Sequence, residues 1–206
     1  MDFDKTESKP ENAVKLDSEM VNNWQVLQLE AHGDFSRALD ELNAELRTNM
    51  LPRIDGYHLT IVSPPESGKL AELTQKQLDT LHQISKDISR GEGITVAGIG
   101  YIDGAITPGI READKAKKTS YVAVDIPSLR QFREEMGLPS KDFHITLGFE
   151  GGDIHAQVIG QNDKGEDILV PIPKKANEDL DDFIPQNITF GFLSGQARHS
   201  QVDELG

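Results

Sequence analysis

The chain has 206 residues, of which 36% are apolar and 27% charged, with no cysteine and a formal net charge of −14. The missing cysteines exclude disulfides, thiolate catalysis and cysteine-ligated metal centres. The length suffices for a packed core, no window approaches the roughly 20 apolar residues of a membrane helix, and the acidic balance argues against a sheath for long duplex nucleic acid, which needs many Lys/Arg–phosphate contacts.

Residues 1–20 are polar and charged and read as a disordered tail without the apolar core of a signal or transit peptide, so a cytoplasmic location is expected. Residues 23–31 read as a strand. Asp34 stands before a helix that carries Phe35, Ala38, Leu39, Leu42 and Leu46 on one face. A turn over 51–56 leads into a strand over 57–62, which Pro64 and Pro65 stop. The 3.6-residue spacing of Leu70, Leu73, Leu78, Leu81, Ile84 and Ile88 predicts a second helix over 68–89. Strands follow over 93–102 and 119–126, with a Gly/Pro/charged loop between them. Pro127 opens a short helix with Leu129, Phe132 and Met136 inward, and Gly137 closes it. A strand over 142–150, a hairpin of 154–161 with 166–173, an acidic linker over 176–182 and a last strand over 187–193 complete the order. The single domain therefore spans 21–195, and 196–206 read as a flexible tail.

This order contains a repeat. Strand 23–31, helix 34–48 and strand 57–62 match strand 119–126, helix 128–137 and strand 142–149, and each third element carries His–aliphatic–Thr–aliphatic: His58-Leu59-Thr60-Ile61 and His144-Ile145-Thr146-Leu147. In a strand, residues i and i+2 share a face about 7 Å apart. His58 and Thr60 therefore point one way while Tyr57, Leu59 and Ile61 point the other, and His144 and Thr146 pair in the same manner opposite Phe143, Ile145 and Leu147. Two such strands present two imidazoles and two hydroxyls to one cleft. One neutral histidine takes a proton from an attacking oxygen, the other gives a proton to a leaving oxygen, and the threonines donate to non-bridging phosphate oxygens.

The paired motifs, 86 residues apart and each closing a strand–helix–strand unit, resemble the His-x-Thr signature of the two-histidine (2H) phosphoesterase superfamily over residues 22–150. The resemblance implies an α+β, bilobal, pseudo-twofold fold with two antiparallel sheets facing a central cleft and helices outside. It implies metal-independent chemistry at a 2′,3′-cyclic or 2′,5′ phosphodiester of a nucleotide or RNA end, with His58 and His144 as the catalytic pair and Thr60 and Thr146 as phosphate ligands. No cofactor or metal is called for. The layout FHITLGFEGGDIH is similar to the RNA-repair-associated branches of the superfamily. A monomer is the expected state.

Alternatives stand beside this reading. The same cleft could hold a nucleotide or RNA end without turnover. His144, Asp153 and His155 could form a metal site, although no HExxH-like spacing accompanies them. Arg111, Lys115, Lys117 and Lys118 form a basic window that either guides substrate or is a solvated loop. Tyr101 and Tyr121 either stack on a base or belong to the core. His32, His82 and His199 read as an exposed turn, a helix face and a tail. GIGYIDG (98–104) lacks the spacing of a dinucleotide loop.

Overall fold

A computed structural model describes residues 24–197. The expectation for residues 1–20 lies outside them, as does His199, and the last strand carries the described chain to Ala197. In chain order the elements are β1 (Trp24–His32), α1 (Phe35–Leu46), β2 (Leu51–Pro52), β3 (His58–Val62), α2 (Gln75–Ser89), β4 (Thr95–Asp103), β5 (Lys118–Asp125), α3 (Pro127–Glu135), β6 (Phe143–Glu150), β7 (Ala156–Gln161), β8 (Asp167–Pro171) and β9 (Thr189–Ala197). Short 3₁₀ segments lie at Pro64–Glu72, Glu112–Asp114 and Glu178–Phe183. No helix among the described residues is long and apolar enough to cross a membrane.

The fold is α+β, as expected, and built on a curled antiparallel sheet. The two expected sheets are the two wings of one seven-stranded sheet, in the order β4-β5-β6-β3-β1-β9 with β2 on β6. The order is symmetric about its centre. The motif strands β6 and β3 lie side by side, each repeat's first strand flanks its own motif strand, and β4 and β9 close the two ends. The wings join where Leu59 stands opposite Ile145.

Period-2 alternation explains which face is dry. Leu59, Ile61, Ile145 and Leu147 are fully buried, and they pack in one cluster with Phe35, Leu39 and Leu42 of α1, Leu78, Leu81 and Ile88 of α2, and Leu129 and Phe132 of α3. All three helices therefore cover one face, and the motif residues look out from the other.

The helix expected over 68–89 begins later, at Gln75. Thr74 is extended, its hydroxyl accepts from the Gln77 amide, and the Gln77 side chain bonds back to the Thr74 amide. This capping box starts a new helix. The preceding turns remain 3₁₀, with Leu70 buried. The acidic stretch after the hairpin is likewise a 3₁₀ segment, capped by Asn177 and anchored by buried Leu180.

One buried cation ties the two halves behind the sheet. Arg133 of α3 is 1% exposed; it donates to Glu66 Oε1 at 2.7 Å, to the Pro139 carbonyl at 2.9 Å and to the carbonyl of Ile61 on β3. Burial pushes the Glu66 carboxyl up, but the bonds from Arg133 and Ser63 outweigh it and hold the group down at about 2. Removing one partner of such a buried pair typically costs about 3–5 kcal/mol. Arg133→Ala is therefore expected to lower unfolding free energy in urea by about that amount; a loss below about 1 kcal/mol, the range of an exposed ion pair, would contradict this role.

Candidate active site

The sheet brings the four motif residues together on its open face. Around the Leu59–Ile145 pair, antiparallel register sets His58 across from Thr146 and Thr60 across from His144, a reciprocal arrangement of two imidazoles and two hydroxyls. Neighbouring strands extend this floor. Glu30 and Gln28 of β1 lie beside His58 and Thr60, and Ala123 and Tyr121 of β5 lie beside His144 and Thr146. His58, Thr60 and His144 are partly buried, and Thr146 is 4% exposed.

His144 is held by the carbonyl two residues before it, with Nδ1 3.3 Å from the Asp142 carbonyl oxygen; the Gly56 carbonyl, two residues before His58, weakly favours that ring's charged form. A ring that donates Nδ1–H to a carbonyl keeps the Nε2 lone pair free for chemistry. Gly56, at φ +82°, makes the turn that delivers His58 to the sheet, in a region where a side chain would be strained.

The surroundings of the two rings differ. Burial and then the nearby Lys174 ammonium depress His144 to about 3, against weaker opposing effects of the Asp142 carbonyl and Asp153. Burial also lowers His58, with Arg53 acting in the same direction and Asp55, Asp153 and the Gly56 carbonyl in the other. Both imidazoles are therefore biased to the neutral form, His144 strongly.

A histidine kept neutral on folding makes stability acid-sensitive. The unfolded chain binds this proton below about pH 6.5 and the folded chain does not, so folding loses up to ~1.4 kcal/mol per pH unit as pH falls from about 6.5 towards 3. Denaturant titrations at several pH values are expected to show a shallower acid loss for His144→Gln than for wild type. Parallel pH dependences would contradict the assigned burial.

Three further groups complete the site: Lys174, which sequence reading misses, Asp153, which it weighs only as a metal ligand, and Tyr121, which it leaves between a base-stacking and a core role. Asp153, whose side chain is 8% exposed, accepts a hydrogen bond from Thr146 Oγ1 at 3.2 Å. Lys174, with a 4% exposed side chain, places Nζ 3.9 Å from Asp153 Oδ1 and donates to the Ile154 carbonyl at 2.9 Å. Tyr121 lies beneath Lys174, its ring centroid 4.7 Å from Nζ, and meets His144 in an edge contact at 5.8 Å between centroids. Tyr121 is 2% exposed and its hydroxyl donates to the Lys175 carbonyl, so it is a buried ledge and not a platform for a base. Burial pushes its phenol up to about 12. Tyr101 packs against the main core from a half-buried position.

Other candidates lie apart from this chemistry. The basic window is internally paired: buried Asp114 holds Arg111 and Lys117 at 2.6 Å each, Glu112 holds Lys115, and Glu150 holds Lys118. The four cations counted from sequence are therefore taken up locally. The His155 side chain is 73% exposed and 3.8 Å from Asp153, and no group of three or more His, Asp or Glu among the described residues is arranged to hold a metal ion. His32 is exposed and His82 sits half-buried on α2.

Among the described residues, a second small core lies on the β4–β5 wing. The loop before β5 and the residues just before β7 and just after β8 form this core with β4 and β5, in which Ile110, Ile154 and Ile172 meet Ile102, Tyr121 and Ala123. The floor beside His58 carries Gln28 and Glu30, with Glu30 exposed.

A symmetric antiparallel sheet with one His-x-Thr strand from each half at its centre defines a class of two-histidine proteins. Residues 25–155 match the family described as "Swiss Army Knife, 2H phosphoesterase domain", and the chain belongs to that family. No curated protein and no solved structure shows a match to the chain.

Proposed function

We propose that the protein opens a 2′,3′-cyclic or 2′,5′ phosphodiester at a nucleotide or RNA end, without a metal ion, in RNA repair or processing. The observation that carries this reading is the reciprocal placement of His58–Thr60 and His144–Thr146 about the Leu59–Ile145 pair. One neutral imidazole accepts a proton from water as its oxygen bonds to phosphorus. The bond from phosphorus to the ribose oxygen breaks, and the other, protonated imidazole gives that oxygen its proton. Thr60 and Thr146 donate to the non-bridging oxygens where charge accumulates. Thr146 has one hydroxyl proton, which points to Asp153 in the free protein and turns to the phosphate on binding.

The floor beside His58, with Gln28 and exposed Glu30, suits a nucleoside or strand terminus, and the net charge of −14 favours a short ligand over a long backbone. The protein acts as a monomer in this reading, because each half supplies one motif to a cleft within the chain.

The test is product identification on 2′,3′-cyclic nucleotides, 2′,5′-linked dinucleotides and RNA ending in a cyclic phosphate, all in excess chelator. Turnover of at least one member is expected. Binding that depends on both histidines without product from any member would replace the enzyme by a nucleotide-binding module. Activity lost to chelator and restored by a divalent ion would overturn the metal-independent route.

A further inference from the structure

We propose that Lys174, paired with Asp153, is a positioning residue that reserves the proton-accepting role for His144 and leaves the proton-donating role to His58. The proposal rests on the phosphoesterase reading above and adds a division of labour that the symmetric motifs do not contain.

Lys174 comes from the stretch after β8, beyond the residues 25–155 that match the family. That stretch is fastened to the supports of His144 and Thr146. The Lys174 amide donates to Asp142 Oδ2 at 3.3 Å, and the carbonyl of the same Asp142 anchors His144 Nδ1. The Lys174 ammonium bonds the Ile154 carbonyl, faces Asp153 Oδ1 and lies over Tyr121, whose edge meets His144. The Tyr121 hydroxyl closes the circuit on the Lys175 carbonyl. Asp153 Oδ1 is buried and has no hydrogen-bond partner, so the ammonium 3.9 Å away is its counter-charge.

A buried ammonium in this position opposes a second positive charge on His144. The other groups facing His144 are Lys141 and Asp142 at the start of its own strand, Asp153 after it, and neutral Tyr121 from β5. Around His58 the balance is different. Arg53 also opposes a charged ring there, but it is bonded to Asp55 at 2.8–2.9 Å, and the Asp55 carboxylate favours the charge, as Asp153 does at both rings. The asymmetric strap thus gives two identical motifs different tasks: His144 presents a fixed neutral lone pair, and His58 takes up a proton more readily.

The test is an NMR titration of the histidine rings in the substrate-free protein, for wild type, Lys174→Met and Lys174→Gln. Methionine preserves the packing over Tyr121, and glutamine keeps a donor for the Ile154 carbonyl. In wild type, His144 is expected to titrate below His58. In both variants His144 is expected to rise by about one unit or more, the scale of a nearby charge, while His58 moves less. The acid limb of the kcat/KM profile should follow His144 upward. An unmoved His144 in a folded variant, or an equal shift of both rings, would overturn the proposal. Absence of turnover from wild type, with His144 still responding to Lys174, would count against the phosphoesterase reading and leave the coupling intact.

Discussion

Alanine in place of His58 or His144 is expected to lower kcat/KM on the best cyclic substrate by about 10²–10⁴-fold, with the fold intact. Each ring is half-buried on the open face of the sheet, and the core behind it is made by Leu59, Ile61, Ile145 and Leu147, so either ring can be removed without opening the core. The double variant is expected to be about as slow as the slower single one, because acid and base serve one displacement and their losses do not add. Full multiplication of the two losses would indicate independent roles. Wild-type turnover from either single variant would remove that histidine from the chemistry.

Valine in place of Thr60 or Thr146 is expected to cost about 10²–10³-fold in kcat, the scale of one lost donor to a developing oxyanion. Valine keeps the β-branched shape that suits a strand, so the comparison isolates the hydroxyl. The two variants should differ in stability. Thr146→Val leaves Asp153 Oδ2 without its donor in a buried setting, which costs about 1–3 kcal/mol, whereas Thr60 has no such partner among the described residues. Serine at either position should restore most of the rate. A valine variant that binds and turns over like wild type would show that the phosphate is held elsewhere.

What could be read from the sequence follows from which physical signals are periodic. The orientation of His58, Thr60, His144 and Thr146 was legible because a strand repeats every two residues and the motif recurs in the same slot of a duplicated unit. The helices were legible from their apolar stripes, but not the start of α2, since Leu70 and Leu73 continue the stripe across the break at Thr74. Strand order left no trace: the joining of β3 to β6 into one sheet is set by long-range pairing that no local pattern encodes. The basic window stayed open between substrate guide and solvated loop because a count of charges does not show that Asp114 is buried and paired with Arg111 and Lys117. Asp153 lies in a Gly-rich turn with no periodicity. Lys174 did leave a signal. Val170, Ile172 and Lys174 alternate with exposed Pro171 and Pro173, so the lysine occupies a slot that the alternation assigns to the interior.

The paired-histidine account is tested most directly by kcat/KM from about pH 2 to about pH 9, in excess chelator, for wild type, His58→Ala and His144→Ala. On the assignment proposed above, productive free enzyme has His144 neutral and His58 protonated. With His144 depressed to about 3 and His58 below its ordinary value, a bell centred on the acid side of neutrality is expected for wild type. His144→Ala should remove the acid limb, His58→Ala the basic limb, each with a loss of at least about 100-fold. A profile that keeps its rate and both limbs in either variant would contradict the account.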